Sequence, residues 1–297
     1  MERIGLISGH DGLELDAALL EPAGEAKAVV QLSHGMAEHK ERYFDFMRFL
    51  AESGYACIIH DHRGHGESIK PDGVRGHFYT EDASGVVDDL HDVTEYAKKR
   101  FPGKPVYMFS HSMGTLVARN YLKKYDAELD KLVLSGPPTE NKMAGMAVFL
   151  ARVAGLFSGK DRPNTLLHKL TFGKGYDAGN AWLSENAENV QRYNSDPLCG
   201  FVFTTNGFLN LYKLQKGAFT LKDWTVRNPG LEIMLMAGAD DPVIQGREKF
   251  AALEQFLLRA GYENVRSRLY ENARHEILNE TRKEEIYGDV LAFYEGR

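Results

Sequence analysis

The stretch PVYMFSHSMGTLVARNYLKKY, residues 105–125, contains a strand pattern that runs almost directly into a helix pattern. It begins with an apolar run that predicts a buried β-strand over 105–110, and it continues with helical spacing over 113–125. Only His111 and Ser112 separate the two segments, so the strand must enter the helix through a sharp turn. A serine at such a turn projects above the carboxyl edge of a sheet, at a helix N-terminus that favours developing negative charge. Ser112 is therefore the candidate nucleophile.

The residues around Ser112 fit this interpretation with one departure. Small residues must flank the turn, because it brings two backbone segments close together. Gly114 meets this need after the serine, whereas Ser110 stands where the G-x-S-x-G pattern has its first glycine. A serine that only caps the helix is the alternative. The other strand ends have to decide between the two.

On both sides of this stretch, short apolar strand patterns alternate with amphipathic helix patterns along most of the chain. Strand patterns occur at 3–8, 13–21, 27–35, 55–61, 105–110, 129–136, 231–238 and 265–270. Helix patterns occur at 40–53, 83–100, 113–125, 245–260 and 281–294. This alternation predicts an α/β fold with a mostly parallel sheet and helices on both faces.

The alternation stops at residue 137 and resumes at 231. A structureless loop of that length is improbable. The insert has helical patterns of its own, at 142–157, 163–170, 180–193 and 205–216. We therefore predict an α/β core, residues 1–136 and 231–297, interrupted by a helical cap, residues 137–230.

Composition excludes several classes of protein. The 297 residues carry 36 Lys and Arg against 42 Asp and Glu, a net charge of −6, so nucleic acid is not an expected partner. The two cysteines, Cys57 and Cys199, lack metal-ligand or redox spacing, and both are predicted to be buried thiols. No apolar stretch reaches the length of a membrane span, and the N-terminus lacks the apolar core of a secretion signal. We expect a soluble, cytoplasmic protein without a cofactor.

Two further strand ends carry an acid and a base. Asp240 and Asp241 follow the strand at 231–238, and His275 follows the strand at 265–270. A serine is a poor nucleophile unless a base takes its proton, and that base needs an acidic partner. Ser112, an aspartate and His275 fall in the chain order that a G-x-S-x-G nucleophile predicts. Either aspartate can be the acid on this evidence.

A fourth strand end supplies a site for the oxyanion. Acyl transfer needs N–H donors directed at the carbonyl oxygen as it becomes negative. The amide of Met113, the residue after the nucleophile, is one candidate. The second is expected from the loop after the strand 27–33, where His34 and Gly35 leave the Met36 amide free to point inward.

The run HDHRGHGES, residues 60–68, admits a metal site. His60, His62 and His65 have a spacing that metal ligands can use. A histidine cluster without its supporting residues is weak evidence for a metal. We favour a loop held in place by Asp61 and Arg63, and we predict no metal.

Five segments together resemble a known family. They are SHGMAEHKERY at 33–43, DHRGHGES at 61–68, HSMG at 111–114, GADDPV at 238–243 and ARHEILNE at 273–280. In this order they resemble the monoacylglycerol lipase and lysophospholipase branch of the α/β-hydrolase superfamily, the serine-aminopeptidase-like hydrolases. The resemblance runs from about residue 10 to 295.

The resemblance implies the α/β-hydrolase fold and long-chain monoacylglycerols or lysophospholipids as substrates. It implies Ser112 as nucleophile, His275 as base and Asp241 as acid, because the family acid is followed closely by a Pro-Val-like pair. It implies the amides of Met36 and Met113 as the oxyanion donors.

The cap contains an apolar segment, MAGMAVFLARVAGLF at 143–157, with Arg152 as its single charge. It is too short to span a membrane, so it packs on the core or lies at an interface. Burial is the favoured interpretation. Any part exposed above Ser112 would form an apolar entrance for an acyl chain and could touch a membrane surface transiently.

The leading hypothesis is a serine carboxylic-ester hydrolase that acts on a small-molecule lipid or ester through an acyl-enzyme. Three alternatives stay open: a catalytically silent fold that binds an apolar ligand, a metal-dependent hydrolase at 60–65, and a peptidase. The peptidase ranks low, because no acidic cluster in the cap marks a pocket for an amino terminus.

Overall fold

In a computed structural model that describes residues 1–173, 176 and 179–297, the chain is built on a central sheet. The described strands are β1 Glu2–Ile7, β2 Glu14–Leu20, β3 Val29–Ser33, β4 Ala56–His60, β5 Val106–His111, β6 Lys131–Ser135, β7 Glu232–Gly238 and β8 Asn264–Tyr270. Their order is β1-β2-β4-β3-β5-β6-β7-β8. The β1–β2 and β2–β4 pairs are antiparallel, and all the others are parallel. The predicted mostly parallel sheet is confirmed.

Helices cover both faces of this sheet, as predicted. The helices that pack on it are α1 Phe44–Glu52, α2 Ser84–Arg100, α3 Met113–Tyr125, α8 Arg247–Ala260 and α9 Lys283–Tyr294. Apolar side chains of α2, α3 and α8 fill one core layer, and those of α1 and α9 fill the other. Burial on both faces explains why β3 and β4 are continuous apolar runs rather than alternating ones.

The segment between β6 and β7 adds helices above the carboxyl ends of the strands. They are α4 Ala144–Ser158, α5 Thr165–Phe172, α6 Ala187–Ser195 and α7 Thr205–Gly217. The helix predicted over 180–193 differs from this: 181–183 form one 3-10 turn, and α6 begins at Ala187. Asn186 explains the break, because its side chain accepts a hydrogen bond from the Glu188 amide and caps α6. The helix predicted over 40–53 likewise starts with a 3-10 turn, Lys40–Tyr43.

The prediction that the apolar segment 143–157 is buried is wrong for its outer face. Val148 and Ala151 are buried, on the side of α4 that packs against α7. The large side chains of the opposite side are exposed, and so are two leucines of α5. We call this set the apolar cap face: Met143, Met146, Phe149, Leu150, Leu156, Phe157, Leu166 and Leu170. In the part of the chain that the structure describes, no helix is both long and apolar enough to traverse a bilayer.

The two cysteines differ in their surroundings. Cys57 is fully buried in β4, as predicted, and burial raises the pKa of its thiol well above the ordinary value. Cys199 is only partly buried, so the prediction of two buried thiols is wrong for this residue. It lies in the loop between α6 and α7, where the cap meets the core, and not inside either layer of the core.

The loop after β4 is fastened by ion pairs. The Arg63 guanidinium is fully buried and donates to both carboxylate oxygens of Asp89, at 2.6 and 2.8 Å. Asp61 accepts from the backbone amide and the ammonium group of Lys40, at 2.8 and 2.7 Å. Removing one partner of such a pair leaves an uncompensated buried charge. The structure therefore agrees with the interpretation of this run as a loop held by Asp61 and Arg63.

Candidate active site

Ser112 lies in the sharp turn between β5 and α3. Its backbone has φ 50° and ψ −118°, a conformation that is strained for any residue with a β-carbon. Ser112 is the residue that caps α3, but its side chain makes no capping hydrogen bond. Its Oγ donates instead to Nε2 of His275, at 2.8 Å. The geometry therefore favours the nucleophile over a serine that only caps the helix.

The residues that flank Ser112 fit the turn. A β-carbon on Gly114 would lie 2.3 Å from the carbonyl oxygen of Ser33, so no larger residue is accommodated there. Ser110 is buried, and its hydroxyl donates to the carbonyl of Val133 at 3.0 Å. This hydrogen bond shows how the turn accommodates a serine in place of the pattern's first glycine.

The structure brings His275 and Asp241 to Ser112. Nδ1 of His275 donates to Oδ2 of Asp241 at 2.9 Å, and the other oxygen of Asp241 accepts from the Val243 amide at 2.8 Å. Both side chains are buried. Asp240 is exposed. It contacts the loop that carries His275 only through its backbone amide, which donates to the Ala273 carbonyl at 3.0 Å. Of the two aspartates that the sequence left open, only Asp241 can fix the tautomer and orientation of the imidazole.

The electrostatics of His275 predict how activity depends on pH. Burial is the largest single influence on the pKa of His275 and lowers it, but the carboxylates of Asp241, Glu276 and Glu38 together outweigh burial, so the pKa is raised above 6.5. His111 beside it stays neutral, because burial lowers its pKa to about 3. A general base works only when neutral. We expect kcat/KM for a soluble ester to rise with pH through a midpoint above 6.5, and to be lost below it. A profile with its midpoint below 6 would contradict this environment.

The two predicted oxyanion donors border the same cavity as Ser112. Met113 is the first residue of α3, so its N–H has no intrahelical acceptor. The amide of Met36, in the turn after β3, likewise donates to no acceptor among the described residues. Both amides are therefore available to an oxygen that forms beside Ser112.

A buried charge network next to these residues escaped the sequence analysis. Glu38 accepts hydrogen bonds from the Gly35 amide, at 2.5 Å, and from the Arg42 guanidinium, at 3.0 Å. Arg42 also donates to Glu276, which directly follows His275 and accepts from Asn189 of α6 at 2.6 Å. The network thus joins three parts of the protein. They are residues 34–38 after β3, which we call the oxyanion turn, the loop that carries His275, and the cap. Glu38 and Arg42 stand in the segment 33–43, but no local pattern pairs them with residues more than 140 positions away.

The histidines of the run at 60–68 do not converge as ligands. His60, His62 and His65 are fully buried, and within residues 1–173, 176 and 179–297 they form no group whose ligand atoms lie within 4.8 Å of one another. Burial lowers the pKa of His60 to about 3 and that of His65 to about 4. Nε2 of His62 lies 3.0 Å from Oγ of Ser33, at the end of β3. The backbone amide of His62 donates to Nε2 of His34 at 2.9 Å. These neutral imidazoles pack beneath the oxyanion turn.

A cavity of about 420 Å³ opens above Ser112. Its walls come from the oxyanion turn, from α3 and from the cap. Polar side chains line part of it, and its larger apolar and aromatic side chains are Met36, Met113, Leu116, Phe172, Tyr176, Trp182, Leu183, Tyr193, Phe201, Leu211, Tyr212 and Val243. Its acidic lining residues, among those described, are Glu38 and Glu276. This volume suits one small organic molecule with an apolar part.

Comparison with known proteins agrees with this geometry. The sequence pattern of the serine aminopeptidase, S33, family matches residues 24–282. A monoacylglycerol lipase of Mycolicibacterium smegmatis is 27% identical over 293 residues, which cover 96% of this chain and 94% of that relative. A monoglyceride lipase of Homo sapiens is 30% identical over 188 residues, which cover 63% of this chain and 57% of that relative.

A solved structure is similar over nearly the whole chain. It is described as a lipase in its open form, and it aligns with a TM-score of 0.87 at 26% identity, covering 99% of this chain and 97% of that one. The family match, the relatives and this neighbour confirm the resemblance drawn from the five segments. The chain belongs to the serine aminopeptidase, S33, family, and it is a serine hydrolase with the α/β-hydrolase fold.

Proposed function

We propose that this protein hydrolyses carboxylic esters that have an apolar acyl chain, with monoacylglycerols as the leading substrate class. The observation that carries the proposal is the hydrogen-bonded series Ser112, His275 and Asp241 beneath a cavity that has both apolar and polar walls. Two relatives whose names describe them as monoacylglycerol and monoglyceride lipases support the substrate class.

In the proposed reaction, Oγ of Ser112 attacks the ester carbonyl while Nε2 of His275 takes the hydroxyl proton. The carbonyl oxygen becomes an oxyanion that the amides of Met36 and Met113 bind. When the tetrahedral species collapses, the alcohol leaves with the proton from His275. Water then attacks the acyl-enzyme with His275 as base again, releasing the carboxylic acid and restoring Ser112. Asp241 stabilises the imidazolium that forms in each half-reaction.

The charges around the cavity favour an ester over a peptide with a free amino terminus. A peptide ammonium group needs an unpaired carboxylate as its partner. Glu38 and Glu276, the acidic residues among the described cavity walls, are both already paired with Arg42. We therefore place aminopeptidase activity behind esterase activity.

A substrate panel tests this choice. We expect hydrolysis of monooleoylglycerol and of medium-chain p-nitrophenyl esters, and turnover of amino-acid p-nitroanilides at least about 100-fold slower, because the cavity offers the ammonium group no free carboxylate. Lysophosphatidylcholine in the same panel measures head-group preference. Faster cleavage of the anilides than of every ester would overturn the proposal.

We further propose that the apolar cap face touches the lipid surface that supplies the substrate. The outer side of α5 contributes Leu166 and Leu170 to this face, whereas the inner side contributes His168 and Phe172 to the cavity wall. One short helix thus joins the exposed apolar face to the lining above Ser112. Exposed patches of this kind mark interaction sites, and a lipid aggregate presents a matching apolar surface.

Two substitutions on this face test the contact. Phe149→Glu with Phe157→Glu is expected to weaken binding to phosphatidylcholine vesicles, and to slow turnover of monooleoylglycerol in those vesicles about tenfold, because two exposed rings are replaced by charges. Turnover of a water-soluble ester should change less than about twofold, since neither ring lines the cavity. Ile7→Glu, on the exposed β1 edge, is the matched control. Equal vesicle binding by the wild-type protein, the double variant and Ile7→Glu would refute the contact.

A further inference from the structure

The turn that carries the Met36 amide is held at both ends, by different parts of the protein. Before Met36, the Gly35 amide donates to the Glu38 side chain at 2.5 Å, a contact within the core. After Met36, Ala37 has φ 53°, a left-handed conformation that costs energy for a residue with a β-carbon. Something must therefore hold the second half of the turn in place.

The cap supplies that restraint. The carbonyl oxygen of Ala37 accepts one hydrogen bond from the Tyr193 hydroxyl, at 3.1 Å, and another from the Gly200 amide, at 2.9 Å. Tyr193 belongs to α6, and Gly200 lies in the loop that follows it. Both donors of the Ala37 carbonyl thus come from the segment inserted between β6 and β7. The segment 35–37, which carries the Met36 amide, is consequently held by the core at its first residue and by the cap at its last.

Tyr193 itself is rigidly placed for this contact. It is 7% exposed, and its ring packs against the Arg42 guanidinium, whose carbon lies 4.9 Å from the ring centroid. Burial raises the pKa of Tyr193 well above the ordinary value, so the hydroxyl keeps its proton and remains a donor. Arg42 in turn is held by Glu38 and Glu276, so Tyr193 rests on the same network that borders the base.

We propose that Tyr193 is a positioning residue for the oxyanion site: its hydroxyl holds the Ala37 carbonyl, and thereby keeps the Met36 amide directed at the oxygen that forms beside Ser112. The cap then completes the site that stabilises the transition state, in addition to enclosing the substrate. This inference rests on the proposed ester hydrolysis, because it assigns a support for one of its two oxyanion donors.

Tyr193→Phe tests the inference, because it removes only the hydroxyl and keeps the ring on Arg42. With p-nitrophenyl butyrate we expect kcat to fall about five- to tenfold and KM to change less than twofold, since one hydrogen bond to the turn is lost. The affinity for an alkylboronic acid, which forms a tetrahedral adduct with the serine, should fall by a similar factor. A merely structural loss would not move kcat and adduct affinity together.

Tyr270→Phe is the matched control. Its hydroxyl is also tied by a single short hydrogen bond, to Asp289 at 2.8 Å, but it lies on β8 away from the cavity. We expect Tyr270→Phe to leave kcat, KM and adduct affinity unchanged. It should lower the melting temperature about as much as Tyr193→Phe does, because each variant loses one hydrogen bond.

Three outcomes would overturn the inference. An unchanged kcat for Tyr193→Phe would do so, and so would a fall in kcat without a fall in adduct affinity. A loss confined to glycerol esters, with p-nitrophenyl butyrate turned over normally, would assign the hydroxyl to head-group binding instead. Failure of the wild-type protein to hydrolyse any ester would be a failure of the proposed function, and is thereby distinguished from all three.

Discussion

Ser112→Ala is expected to lower kcat for ester hydrolysis by about 10⁴- to 10⁶-fold, with the residual rate supplied by substrate binding and the oxyanion site. The variant loses the oxygen that forms the acyl-enzyme, and nothing else in the described cavity offers a hydroxyl bonded to His275. Steady-state rates with p-nitrophenyl butyrate and monooleoylglycerol measure the effect.

Ser110→Ala is the control for this experiment. Ser110 lies on the same turn, but its hydroxyl is directed to the Val133 carbonyl and not to the cavity. We expect its kcat to stay within a fewfold of the wild-type value. If the Ser112→Ala protein retained more than about 1% of wild-type kcat, Ser112 would be ruled out as the nucleophile.

Asp241→Asn is expected to lower kcat by about 10⁴-fold, the second largest effect. An amide in place of the carboxylate no longer stabilises the imidazolium, and it favours the wrong imidazole tautomer. The hydrogen bond from the Val243 amide can still form, so the fold should be retained. Measuring the melting temperature and kcat on the same preparation separates a loss of stability from a loss of catalysis.

Asp240→Asn is the matched partner, one residue away. Asp240 is exposed, and its carboxylate makes no contact with His275 in the described part of the chain. We expect less than a threefold change in kcat from this substitution. If the neighbour were the more damaging of the two, the acid would be misassigned.

Much of the architecture follows from local patterns that a single sequence contains. Buried strands such as β3 and β4 are short apolar runs, and α3 begins directly after the polar residues that end β5. Because parallel strands end at one edge of a sheet, the serine, acid and histidine after three different strands could be predicted to meet. The hydrogen bonds from Ser112 to His275 and from His275 to Asp241 agree with that expectation.

Contacts between distant segments could not be predicted in this way. Tyr193 reads as one more residue of an amphipathic helix, and only the folded chain brings its hydroxyl to Ala37. The charge network of Glu38, Arg42 and Glu276 could not be predicted either, because Glu38 and Arg42 follow β3 whereas Glu276 follows β8. Choosing Asp241 over Asp240 required the family resemblance, since both aspartates follow the same strand.

The outer face of α4 shows a different limit. Hydrophobicity predicts burial when a protein has a second layer to pack against, and α4 has one only on the side of α7. Phe149 and Phe157 are therefore exposed although the segment is as apolar as a core helix. An apolar composition alone could not show that this side of α4 is exposed.

The assignment of Ser112 as an activated nucleophile is tested by mapping the residue that a fluorophosphonate probe modifies. The probe reacts with a serine only when a base has activated it and an oxyanion site receives its phosphoryl oxygen. We predict that peptide mass spectrometry of the folded wild-type protein places the adduct on Ser112, with labelling lost in the Asp241→Asn protein. An unlabelled Ser112 in folded protein, or an adduct on another residue while ester hydrolysis continues, would contradict the account.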